Sequence, residues 1–97
     1  MANRSFQSST VNFETRFKVG DIVSFLNLEW KVTRLRVTSE IFQNGSHSWV
    51  SLHLQIVDET TLPADLKTRM RSAGYPSEMF PLDRDEHVQL IRAADQN

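Results

Sequence analysis

Glu29-Trp30-Lys31-Val32-Thr33-Arg34-Leu35-Arg36-Val37-Thr38-Ser39-Glu40-Ile41-Phe42 is the stretch that decides the fold. Trp30 and Val32 are apolar at even positions, whereas Leu35, Val37 and Ile41 are apolar at odd ones. A straight strand shows successive residues to opposite faces. The change of parity therefore demands a bulge or sharp bend near Thr33-Arg34, or a passage of the strand from one sheet to another. Either device curls a small sheet. Immediately downstream, Gln43-Asn44-Gly45-Ser46 contains Asn-Gly, whose tolerance of positive φ predicts a hairpin. Residues 48–57 then alternate cleanly, with Val50, Leu52, Leu54 and Ile56 on one face and Trp49, Ser51, His53, Gln55 and Val57 on the other.

Upstream, Val11, Phe13, Thr15 and Phe17 alternate with Asn12, Glu14 and Arg16, the pattern of a half-buried strand. Gly20-Asp21 punctuates, Ile22-Val23-Ser24-Phe25-Leu26 is a short β-rich run, and Asn27-Leu28 reads as the turn into the next strand. Residues 1–9 read as a flexible N-terminus. Downstream, Leu62, Leu66, Met70 and Ala73 form one helical stripe, with Thr61 as a cap and Gly74 as a left-handed stop, so a helix is predicted over residues 62–73. An extended connection should follow, with Met79, Phe80 and Leu82 as candidates to pin it to the core. Residues 83–94 admit two readings. His87, Leu90, Ile91 and Ala94 fit a helix capped by Asp83, whereas Val88 and Leu90 fit a closing strand that leaves fewer open edges. Residues 93–97 read as a flexible tail. The expected class is α+β: a single domain over residues 10–92, with a curled antiparallel sheet or small open β-barrel of four or five strands packed with one helix.

Ninety-seven residues suit one domain that hides about 65% of its unfolded surface, enough for one core but not for a deep cofactor cavity. The 39% apolar and 24% charged composition excludes collagenous and largely disordered chains. No cysteine is present, which removes disulfides, thiolate nucleophiles, zinc-thiolate sites and iron–sulfur clusters, and suits a reducing compartment. No apolar run reaches the roughly 18 residues of a membrane span, and residues 1–10 lack the apolar core of a signal peptide. A cytoplasmic protein is expected. The net charge of −1 removes the simplest electrostatic case for nucleic acid, although residues 1–57 are slightly basic and residues 58–97 slightly acidic.

Phe17-Lys18-Val19-Gly20-Asp21-Ile22-Val23-Ser24-Phe25, followed by Trp30-Lys31-Val32-Thr33-Arg34-Leu35, resembles the opening of SH3-like small barrels of the KOW and Tudor kind. In those, an apolar-x-x-Gly-Asp-x-Val turn leads into the first strand and the second strand bends around the barrel. The resemblance implies an architecture and no ligand. The early second-strand glycine of a KOW segment is replaced here by Leu28-Glu29-Trp30, and only Trp30, Trp49 and Tyr75 join the phenylalanines as possible members of a Tudor-type aromatic cage.

The residues that carry chemistry are sparse. His47, His53 and His87 are the only histidines, and His47 and His53 lie six apart on one strand parity, roughly 20 Å along an extended chain, so they share no metal unless the strand bends. Gly45-Ser46-His47 sets a hydroxyl beside an imidazole, but neighbours on a hairpin do not orient each other for catalysis. The acidic residues Asp83, Asp85 and Glu86 lack the glycine and terminal Glu of a calcium loop, and three scattered glycines make no phosphate loop. No cofactor, metal ligand or catalytic residue is assigned. What remains is a surface: Trp49, Ser51, His53 and Gln55 beside Arg34 and Arg36, with Trp49 either exposed or beneath the helix. The expected function is a small non-catalytic binding or interaction module that acts through this sheet face on a protein partner or on a second copy of itself, as a homodimer. One alternative is a small-ligand or enzymatic barrel with an end pocket that uses Trp30, Tyr75 and His53. Another is a nucleic-acid-binding barrel that uses Lys18, Lys31, Arg34 and Arg36.

Overall fold

The computed structural model describes residues 4–8 and 11–94. Its elements are β1 (Arg4–Ser8), β2 (Val11–Thr15), β3 (Ile22–Phe25), β4 (Leu28–Phe42), β5 (Gly45–Ile56), a 3-10 turn (Glu59–Thr61), α1 (Ala64–Ser72), β6 (Glu78–Met79) and β7 (Gln89–Arg92). β1 and β2 form a two-stranded ribbon. The other strands form an antiparallel sheet in the order β6-β5-β4-β3-β7. With β6 and β7 at its edges the sheet is not closed into a barrel, and the fold is of the expected α+β class, a five-stranded antiparallel sheet packed with one helix.

The parity change in β4 is a bulge. Val32 stands opposite Leu54 and Arg34 opposite His53, which leaves Thr33 as the extra residue, its Oγ1 donating to the His53 carbonyl at 3.2 Å. Trp30 and Val32 before it and Leu35 after it therefore all reach one core, together with Val50, Leu52, Leu54 and Ile56 of β5. The turn from β3 to β4 falls one residue earlier than the sequence suggests. Leu26 and Asn27 occupy it with φ of 55° and 62°, because Leu28 is drawn into β4, where it packs on the core. The buried Trp30 indole N–H donates to the Phe25 carbonyl at 2.8 Å and braces that turn. The β4–β5 hairpin lies where Asn-Gly predicts it, with Phe42 opposite Gly45 and Gln43-Asn44 between them.

Residues 57–74 build the helical side. Asp58, not Thr61, is the capping residue: its carboxylate accepts from the Thr60 N–H and hydroxyl and starts the 3-10 turn. α1 is shorter than the predicted 62–73 because Pro63 sets its first turn without a side-chain cap. Leu62 and Met70 are buried in the core and Leu66 packs against it, each full burial stabilising by about 1.5–3 kcal/mol. The chain then runs back along the outer edge of β5. Besides the β6 ladder, the Ile56 N–H donates to Ser77, the Leu52 N–H to Pro81, and the Asp83 N–H to Val50.

Between residues 83 and 88 the chain crosses from the β5 edge of the sheet to the β3 edge. The buried carboxylate of Asp83 accepts the Arg16 N–H at 2.8 Å and the Phe17 N–H at 3.3 Å. The Arg16 guanidinium in turn donates to the carbonyls of Asp83, Asp85 and Val88. Burial pushes the Asp83 carboxyl above its ordinary range, and the two N–H bonds and the guanidinium pull it back. Of the two readings of residues 83–94, the strand is correct. Val88 is fully buried and β7 pairs with β3. Asp83 is consequently an anchor for the N-terminal segment and not a helix cap.

Both expected loose ends are partly structured. Arg4–Ser8 pair with β2, while residues 1–3 and 9 lie outside the described residues. Ala93 is buried and the Ala94 N–H donates to the buried Asp21 carboxylate at 2.9 Å, while residues 95–97 lie outside the described residues. Gly20 holds this junction at φ 97°, and a Cβ there would stand 2.8 Å from that of Ala94.

Two stability outcomes follow from these contacts. Asp83→Ala orphans two N–H groups and releases Arg16, so thermal unfolding should show a loss of about 2 kcal/mol, roughly 10 °C in Tm. Leu26→Asn relieves a branched residue at positive φ and should raise Tm by a few degrees, about 0.5–1 kcal/mol.

Candidate functional site

The bulge decides which side chains reach solvent. Had the parity of Trp30 and Val32 continued, Arg34 and Arg36 would point into the core. The extra residue at Thr33 turns both outward, where Arg34 lies opposite His53 and Arg36 opposite Ser51. On β5 the same outer face carries the half-buried Trp49, Ser51, His53 and Gln55.

The connection after α1 raises a wall along this face. Tyr75 meets Phe80 edge-on, with ring centroids 4.7 Å apart, and Phe80 meets His53 edge-on at 4.8 Å. Such geometry sets the positive edge of one ring against the negative face of the next. These three rings, with Arg36, Ser51 and Glu78, line an open recess of about 260 Å³. Tyr75 and Phe80 also border a second recess of about 250 Å³ against Leu66, Met70, Ala73 and Met79, with Arg69 among its lining residues. The aromatic pair is thus a ridge between a mixed hollow and an apolar one.

The pKa of His53 is lowered from its ordinary 6.5, first by burial and then by the positive charges of Arg34 and Arg36, with Glu78 opposing. Both effects favour the neutral ring, which offers a hydrogen-bonding and stacking surface.

Arg36, Ser51 and His53 of the expected surface meet in one recess, and Tyr75 of the pocket alternative joins them. Trp30 does not, because it is a core residue with no exposed surface. The end-pocket set of Trp30, Tyr75 and His53 is thus not assembled. Arg34 stands beside the recess opposite His53, and the half-buried Gln55 is flanked by Lys31 on β4 and Glu78 on β6. α1 packs on the Val50–Ile56 side of β5, so Trp49 is not beneath it. Trp49 lies 5.6 Å from the His47 ring and lines a separate hollow with Glu14, Asp83 and Arg84. Lys18, from the nucleic-acid alternative, sits in the turn before β3, where its N–H donates to Asp21. Glu78 is a member that the sequence reading missed, and Phe80, expected to pin the connection to the core with Met79 and Leu82, is instead 37% exposed in the recess while Met79 packs on the core. The signal was available, since in an extended segment a core-facing Met79 turns both neighbours to the other side. Among the described residues no three His, Asp or Glu side chains come together to hold a metal ion, and no helix is long and apolar enough to cross a membrane.

The sign of the His53 titration is checkable. A fold that lowers the pKa of this group favours its neutral form, so its contribution to stability is whole above about pH 6.5 and is lost as pH falls through the lower folded value. Proton NMR should place the His53 midpoint below 6.5, move it up in Arg36→Ala and move it further down in Glu78→Gln. A midpoint at 6.5 that neither variant moves would contradict the assignment. No protein-family model, no curated protein and no solved structure matches the chain, and the functional reading rests on the geometry of this outer face.

Proposed function

We propose that the chain is a non-catalytic interaction module that holds an extended protein segment in the recess between Arg36 and the Tyr75–Phe80 ridge. The observation that carries this reading is the ring ladder itself. Tyr75 is 50% and Phe80 37% exposed, although each keeps one edge fixed by a neighbouring ring. Rigid, half-exposed aromatics beside guanidinium groups are the composition of binding hot spots, because they bury large area at little cost in side-chain entropy. Two arginines and a neutral histidine favour a carboxylate in the bound segment. The ridge favours an aromatic or branched apolar residue next to it. An open recess does not withhold water from a reacting bond, which supports binding over catalysis. A cysteine-free chain supports a cytoplasmic setting.

Selection of a random peptide library on the immobilised protein tests the reading. Enriched peptides should pair Asp or Glu with an adjacent aromatic or branched residue. Phe80→Ala and Arg36→Ala, checked for native Tm, should each weaken them about tenfold or more, as expected for hot-spot truncation. Peptides that bind Phe80→Ala unchanged would overturn it, and retention on heparin that collapses with salt would point to nucleic acid instead.

A further inference from the structure

β3 pairs with β4 only over residues 28–31, and the last backbone bonds on that side join Val32 to Asp21 and Gly20. β5, by contrast, follows the opposite edge of β4 to Phe42. Among the described residues, then, residues 33–42 have one edge with no strand beside it. Ten residues of unpaired edge form a template for another strand unless a protein blunts it. The direction of its free groups can be derived. Val32 turns its N–H and C=O toward β3, and the bulge reverses the alternation. Because Phe42 and Gly45 flank a two-residue loop, even-numbered residues bond to β5. Leu35, Val37, Ser39 and Ile41 therefore direct their backbone groups outward along the open edge.

The side chains select the strand that fits. Ile41 is 88% and Phe42 55% exposed at the end of this ribbon, so the tip presents apolar surface that its own fold does not cover. Arg36 and Glu40 are both exposed on the outer face, and among the described residues neither has an ion-pair partner within the chain. A second copy laid antiparallel about a two-fold axis at Thr38 satisfies all of these at once. It sets Arg36 across from Glu40 twice and Arg34 across from Phe42 twice. On the core-facing side it brings Ile41 against Leu35. The hydrogen-bonded pairs would be Leu35 with Ile41 and Val37 with Ser39, the residues whose backbone groups point outward. Shifting the axis to Val37 puts Ile41 opposite the bulged Thr33, and shifting it to Ser39 removes the opposed charges.

We propose that two copies of this chain join through the open edge of β4, antiparallel about Thr38, to make one sheet continuous across both. This goes beyond the recess reading and does not depend on it: Arg36 and Thr38 also line the recess, but Glu40, Ile41 and the backbone groups of the open edge lie outside it.

The chain has no cysteine, so Thr38→Cys gives one thiol per copy. Its partner would be the same thiol across a closely spaced pair, about 4.5 Å between Cα atoms and within disulfide reach. Mild oxidation should convert Thr38→Cys into a covalent dimer, while Ser46→Cys on the hairpin tip stays monomeric. Light scattering on the 97-residue chain should show a dimer that Arg36→Glu or Glu40→Arg each weakens at least tenfold and that the double exchange restores. A monomer at high micromolar concentration overturns the proposal, as does a dimer indifferent to both reversals or crosslinking no faster at position 38 than at 46. Peptide binding by Glu40→Arg reads the recess separately, since that variant should lose the dimer and keep the peptide.

Discussion

The crossing that closes the sheet depends on how the Asp83 carboxylate meets Arg16 and Phe17. The chain has already spent β6 and the residues around it on the outer edge of β5, and must cross to the far edge of the sheet to supply β7. A crossing segment of this length carries carbonyls that no ladder can satisfy. The Arg16 guanidinium takes three of them, at Asp83, Asp85 and Val88, while Asp83 returns two bonds to the main chain of the strand-leading segment. A buried carboxylate is costly alone, and here the pairing is reciprocal: the two N–H bonds and the guanidinium offset part of the desolvation that still holds the Asp83 carboxyl above its ordinary range. Its geometry also delivers Phe17 and Val88 to the core from opposite ends of the sequence.

A second constraint, the bulge at Thr33, connects fold to surface. It lets one strand contribute Trp30 and Val32 to the core at one parity and Leu35 at the other, and by the same step it places two guanidinium groups on the solvent face. Those guanidiniums then act on His53 across the ladder and add to the effect of burial in lowering its pKa. The aromatic ridge is supplied independently, by the connection that covers the β5 edge. The recess is thus the meeting of two unrelated local devices, a bulge in one strand and an alternation in a short edge segment.

This explains which parts were legible in advance. Period-2 patterns in residues 29–42 and 48–57 are strong because each strand has one dry face, so the sheet, its bulge and the β4–β5 hairpin could be read directly. The turn at Leu26-Asn27 could not, since Leu is a poor residue for positive φ and its neighbour Leu28 is claimed by the core. Residues 83–94 were ambiguous because His87, Leu90, Ile91 and Ala94 keep helical spacing. The free edge of β3, a feature of the sheet and not of the segment, decides for a strand. At the site, Arg34, Arg36, Ser51 and His53 followed from β-strand parity alone. Phe80 and Glu78 needed a further step, because the two-residue alternation around Met79 places them on the recess side only once Met79 is known to face the core. Trp30 misled for the converse reason: an aromatic counted as available for a pocket is the largest side chain of the core.

The extra residue in β4 also limits how this molecule can vary in length. Beyond Thr33 the two strands run as a ribbon whose faces are set by counting from that one position. Adding a single residue directly after it would exchange inside for outside over the rest of the strand, putting Arg36 where Val37 now lies. Changes made as matched pairs, two residues in each strand, preserve both faces and alter only how far the tip projects. The arm is therefore free to lengthen or shorten in steps of about 7 Å, and in no smaller increment.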